Sequence, residues 1–122
     1  MKDQVKIFRP KKIEVDIFGS KHELHRLTRG DVIDLAVIFS EARQDLTGLT
    51  VENFKKIILS TGEILGALME ISFPSFEEWS ALSIADEISL FEMVWSENDI
   101  PGIIANFTRL GETIAKAINA GQ

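Results

Sequence analysis

The sequence predicts a mainly α-helical protein, an N-terminal β-hairpin packed on a bundle of about four to five helices. Three observations predict it. Apolar residues recur every three to four positions through most of residues 28–119, the helical period. Alternation of period two is confined to residues 13–27. Each helical stretch is preceded by Thr or Ser, or begins at a proline, the residues suited to a helix start. With 122 residues the chain suits a single domain around one core.

Residues 1–12 form a basic arm carrying Lys2, Lys6, Arg9, Lys11 and Lys12. Val5-Lys6-Ile7-Phe8 has the composition of an edge strand that Pro10 would stop. In residues 13–27, Ile13, Val15 and Ile17 alternate with Glu14, Asp16 and Phe18. Gly19-Ser20 is expected to supply the turn, with Leu24 and Leu27 as the apolar residues of the returning segment. A lone two-stranded hairpin is marginal in water, so it must pack on a helix.

Residues 28–45 are expected to be that helix and to organise the rest. Thr28 stands at the N-cap and Asp31 in the capping-box position. Val32, Leu35, Ile38, Phe39 and Ala42 share one face, while Ile33 and Val37 lie on another. A helix apolar on two sides is expected to be covered on both.

Residues 46–49 turn the chain, and Thr50 caps a helix expected over 51–71. Its apolar residues, from Val51 and Phe54 to Leu68 and Met69, fall within an arc of about 160°. Gly62 and Gly66, four apart, suggest close approach by another helix. A short helix capped by Ser75 is expected to hold Phe76, Trp79 and Leu82. Ser83 opens the next, about 84–98, with Ile84, Ile88, Phe91, Val94 and Trp95 as its main stripe and Leu90 and Met93 off it. Asn98 is a plausible stop. Pro101 suits the first turn of the last helix, whose stripe is Ile103, Ile104, Phe107, Leu110, Ile114 and Ile118.

The net charge of −6 is unevenly divided. Residues 1–61 carry 11 Lys and Arg against 9 Asp and Glu, and residues 62–122 carry 2 against 10. An acidic second half argues against a nucleic-acid surface, which needs a basic patch. No apolar run is long enough to span a membrane, and the arm lacks the apolar region of a secretory signal. The lack of cysteine excludes disulfides and thiolate metal sites and suits a reducing cytoplasm.

No residue set reads as catalytic, cofactor-binding or metal-binding. His22 and His25 are three apart on a predicted strand, which places them on opposite faces. Glu77/Glu78 and Glu97/Asp99 would serve acid–base chemistry only in a buried cleft, and a helix N-terminus and a solvated face account for them. There is no nucleophile elbow and no phosphate loop. The aromatic and Met residues of the second half, Phe73, Phe76, Trp79, Phe91, Met93, Trp95 and Phe107, read first as core, which a helical domain of this size needs, but two Trp on short or two-sided helices leave a groove as the second reading. Phe73, Phe76, Trp79, Leu90, Met93 and Trp95 are therefore candidates for a groove that receives a partner's helix.

The hairpin IEVDIFGSKHELHRLTRGD leads straight into a helix through Leu27, Thr28 and Asp31, a "Leu-Thr-x-x-Asp" entry. Asp86 and the Val94–Asn98 stretch form the later helix ending. In these features the chain resembles the tail assembly chaperones of long-tailed bacteriophages and prophages. The resemblance implies a non-enzymatic protein of the host cytoplasm, absent from the finished virion. It would keep the helical tape measure protein soluble while tail tube protein polymerises around it. The resemblance carries no site motif. The other reading open to the sequence is a small homo-oligomeric adaptor of phage morphogenesis, its spare apolar surface closing an interface between copies.

Overall fold

The computed structural model describes residues 12–42 and 44–120, except for the side chains of 114, 115 and 118–120. Residues 1–11 of the basic arm, with the edge strand expected over 5–8, lie outside the described residues, as do the side chains of Ile114 and Ile118. The element order is β1 (Glu14–Ile17), β2 (Ser20–Glu23), α1 (Arg29–Glu41), α2 (Val51–Ser60), α3 (Gly62–Ser72), a 3-10 turn (Trp79–Ala81), α4 (Ile84–Glu97) and α5 (Ile100–Ala120). The protein is mainly helical with an N-terminal hairpin, as the periodicities predict.

β1 and β2 pair antiparallel with Ile17 opposite Ser20, so the two-residue turn is Phe18-Gly19 and not Gly19-Ser20. Both turn residues take positive φ, 53° and 81°, the sense that matches strand twist. The Gly19 N–H donates to Asp16 Oδ1 at 2.9 Å. The hairpin docks through Ile17 and Leu24, both buried, and through the His25 N–H, which donates to the Ser72 carbonyl at 2.7 Å.

The capping box at α1 is complete. The Thr28 N–H donates to Asp31 Oδ2 at 2.9 Å, and the Asp31 N–H to Thr28 Oγ1 at 3.2 Å. The helix stops at Glu41, four residues before the sequence expectation. Beyond it Leu46 turns into the core. Thr47 donates twice to Asp45 Oδ1, which holds that carboxyl below its ordinary range. α1 buries one face only, Val32, Leu35, Ala36 and Phe39. No described element covers its other side, where Ile33 is 40% and Val37 51% exposed. The physical reason is that α1 packs on α3 and α5 through a single stripe, and no described element crosses the outer one.

The single helix expected over 51–71 is two helices. Thr61 is extended (φ −117°, ψ 100°) and serves as C-cap of α2 and N-cap of α3. The break re-aims the chain so that Phe54 and Ile58, then Ile64, Leu68 and Met69, all reach the core. Gly62 and Gly66 mark no close approach, since a Cβ at either would meet nothing within 4 Å. The short helix expected from 76 shrinks to the 3-10 turn, and Ser75 hydrogen-bonds His22 instead of capping it.

Three rings hold the centre. Phe39 of α1 lies 5.4 Å from Phe54 of α2 and 5.0 Å from Phe107 of α5, and Phe54 lies 5.3 Å from Phe107. α4 joins this core through Leu90, Phe91 and Val94. Its buried stripe is rotated from the expected one, leaving Ile84 (77%) and Ile88 (46%) exposed and Leu90 inside. α5 buries Ile103, Ile104 and Phe107, as its spacing predicts, and also Ile100, which opens the helix instead of lying in the link before it.

Candidate docking surface

The six residues expected to form a partner groove do not share one surface. Phe73, Phe76 and Leu90 are buried, at 0%, 5% and 6% exposure, and face the core. Trp79 is half-buried beside Phe76 (ring centroids 4.6 Å apart) and Phe73, and its indole N–H has no hydrogen-bond partner among the described residues. Trp95 is half-buried between Phe54 and Phe91, with Lys55 Nζ 5.5 Å above its ring. Only Met93 is exposed. The surplus of aromatic residues is taken up by ring-on-ring packing inside the fold. A helical wheel does not foresee this, because it ranks side chains by angle on one helix and not by what faces them.

The other candidates resolve into structural pairs. His22 Nδ1 is 2.7 Å from Ser75 Oγ, and the His22 ring stands edge-on to Phe76. His25 instead approaches Asp31 at 3.4 Å, so the two histidines serve different partners. Glu97 accepts from Arg26 Nη2 at 2.7 Å, and Asp99 accepts from the Gly102 N–H at the start of α5. Asn98 spans the gap between the hairpin and α4. Its Oδ1 accepts from the Leu27 N–H at 2.9 Å while its Nδ2 donates to the Val94 carbonyl at 2.8 Å. Among the described residues no group of three His, Asp or Glu is placed to hold a metal ion. No described helix is long and apolar enough to cross a membrane.

The surface that remains apolar lies along α1 and α5. α1 packs against the middle of α5, from Asn106 to Leu110. Arg29 and Val32 share a wall with Asn106 and Arg109, and further along Ile33, Val37 and Glu41 share one with Leu110. The floor of the second stretch is Ala36, and its hollow is about 150 Å³. One end of this groove holds two arginines and the other holds Glu41. Sequence reasoning marked Ile33 and Val37 as off the main stripe but expected them to be covered. It did not single out Arg29 and Arg109, because nothing in their spacing of 80 positions links them before the helices pack.

A second apolar feature is the exposed face of α4. Ile84 and Ile88 stand one turn apart on α4, near Glu92, which is paired with Lys55 at 2.8 Å. By contrast the core beneath Trp95 has a void of only about 10 Å³, too small for an organic ligand.

Comparison with known protein families, with curated proteins and with solved structures returns no match for this chain.

Proposed function

We propose that this protein is a non-enzymatic assembly chaperone that binds helical segments of another protein and keeps them soluble. The observation that carries the reading is the open groove between α1 and α5, where Ile33 and Val37 stay exposed beside Leu110. Exposed apolar residues in a groove between two helices suit the apolar stripe of a third helix. A net charge of −6 supports the solubility of such a complex. The resemblance of the hairpin, the Leu27-Thr28-x-x-Asp31 entry and the end of α4 to phage tail assembly chaperones supplies the client. That client is the tape measure protein, bound in the host cytoplasm while tail tube protein assembles around it.

The experiment is co-expression with the products of the neighbouring genes, followed by pull-down. A long, helix-rich protein that is soluble only with this chain is the expected result. If such a protein is present and equally soluble without the chain, the reading is overturned.

One observation favours a second reading, a homo-oligomeric adaptor of phage morphogenesis. Ile84 and Ile88 are 77% and 46% exposed and lie on a different helix from the groove. An exposed apolar face and a groove on one chain are the two halves of a head-to-tail contact. An oligomer that holds at micromolar concentration and loses its assembly on Ile84→Lys would favour that reading.

A further inference from the structure

Resting on the chaperone reading above, we infer the polarity of the client. The α1–α5 groove takes an amphipathic helix that runs antiparallel to α1 and places carboxylates of its last turn over Arg29 and Arg109.

The groove is electrically directional. Where Arg29 and Arg109 approach the apolar stripe, their neighbours are Val32, Ile33, Asn106 and Leu110, with no carboxylate among the lining residues. Neither arginine forms an ion pair among the described residues, although Arg109 Nη2 donates to Asn106 Oδ1. Arg109 is one of only two basic residues after position 61, so its place here is not the result of a generally basic surface. Asp99 lines the adjoining hollow together with both arginines but forms no ion pair with either, and it accepts from the Gly102 N–H at 3.2 Å at the start of α5. Asp31 is turned away into the capping box and toward His25. The opposite end of the groove carries Glu41, in the last turn of α1.

The dipole of α1 acts in the same direction as these charges. Arg29 is the first residue of α1, so the positive N-terminal end of that helix lies at the arginine end, whereas Arg109 is the tenth of the 21 residues of α5 and stands away from the ends of its helix. A third helix laid antiparallel to α1 presents its negative C-terminal end at the arginine end and offsets the dipole of α1. In the parallel sense it would place like ends together. Arginine reinforces the choice, because its planar fork binds both a carboxylate and the free carbonyls of a helix C-terminus. The length is bounded too. α1 has 13 residues, so its wall is about 20 Å long at the helical rise. The occupant is therefore a segment of about four turns with apolar residues at i, i+4, i+7 and i+11. The chain's own basic arm is a poor occupant, since it would bring Lys2, Lys6 and Arg9 against Arg29 and Arg109.

The test uses labelled helical peptides of about 15 residues with leucines at those positions. One carries two glutamates in its last turn, one carries them in its first turn, and one carries two lysines in its last turn. Fluorescence anisotropy gives their affinities for the full chain and for the R29E/R109E variant. The first peptide should bind tightest to the wild type, and the variant should weaken it about tenfold. The variant should bind the lysine peptide better than the wild type does, and its circular dichroism melt should match the wild type. Equal affinities for the three peptides, or no change in the variant, would overturn the inference. So would a wild-type oligomer that R29E/R109E dissociates, since the groove would then hold a second copy. Co-expression separates this failure from failure of the chaperone reading. If R29E/R109E still keeps the client soluble, the groove assignment falls and the chaperone stands. If the wild type does not keep it soluble, the chaperone reading itself falls.

Discussion

Two glycines show how far a residue's meaning depends on its neighbours. Gly66 sits inside α3, where an added Cβ meets nothing within 4 Å. Gly66→Ala removes backbone freedom from the unfolded chain at no steric cost and should raise stability by about 0.5–1 kcal/mol. Gly111 sits inside α5 against the loop that follows α1, and its Cβ would lie 2.9 Å from Leu46 Cβ and 3.1 Å from Thr47 Cγ2. There the same substitution forces α5 and the loop apart and should destabilise by about 1–3 kcal/mol despite the helix propensity of alanine. Urea melts of the two variants, read as opposite shifts of midpoint at equal slope, check both signs. Both glycines occupy helical patterns in the sequence, so nothing local distinguishes them. Phe18 makes a related point. It is a bulky residue at φ 53°, a conformation that favours Gly or Asn. The hairpin register requires it there, and its ring gains a neighbour in Phe76 at 6.0 Å.

At the scale of elements, the boundaries set by side-chain caps are those the sequence places well. Thr28, Thr50 and Ser83 each accept from the backbone N–H three residues on, as their positions predict. The boundary at Thr61 carries no side-chain cap hydrogen bond. It arises because α2 and α3 must both turn their apolar faces inward, and one straight helix of that length would carry its far end past the core. Asn98 is the element-scale joint between the hairpin and the bundle, with Arg26–Glu97 beside it. Asn98→Ala leaves the partly buried Leu27 N–H and Val94 carbonyl without their partners, and should cost about 1–3 kcal/mol. Asn98→Asp keeps the acceptor for Leu27 but loses the donor to Val94, so it should fall between wild type and alanine. Thermal melts of the three proteins give the order. Native-state hydrogen exchange at the Leu27 amide should rise in the alanine variant before the core of α1 is affected.

Across the whole molecule, α1 divides the core from the proposed docking surface: one face is buried, and the other leaves Ile33 and Val37 exposed. The inner face feeds Phe39 into the ring cluster with Phe54 and Phe107, and Phe39 is fully buried. Phe39→Ala should cost about 3–5 kcal/mol, a large part of the total stability of a domain this size. Ile33→Ser on the outer face should change stability little while weakening the binding of an amphipathic helix. Chemical denaturation and anisotropy on the same two variants test that division, and parallel losses in both would refute it. The sequence by itself determined the helical class, the N-terminal hairpin, the capped starts of α1, α2 and α4, and the buried stripe of α5 up to Phe107. These depend on period, on caps and on turn residues, which act over a few positions. Only the tertiary structure decided which of two apolar faces on α1 and α4 is covered, that Phe73, Phe76 and Leu90 are core, and that Arg29 meets Arg109. The reason is physical. A wheel records which side chains share a face. Burial also requires a partner surface, and that surface is supplied by helices far away in the chain.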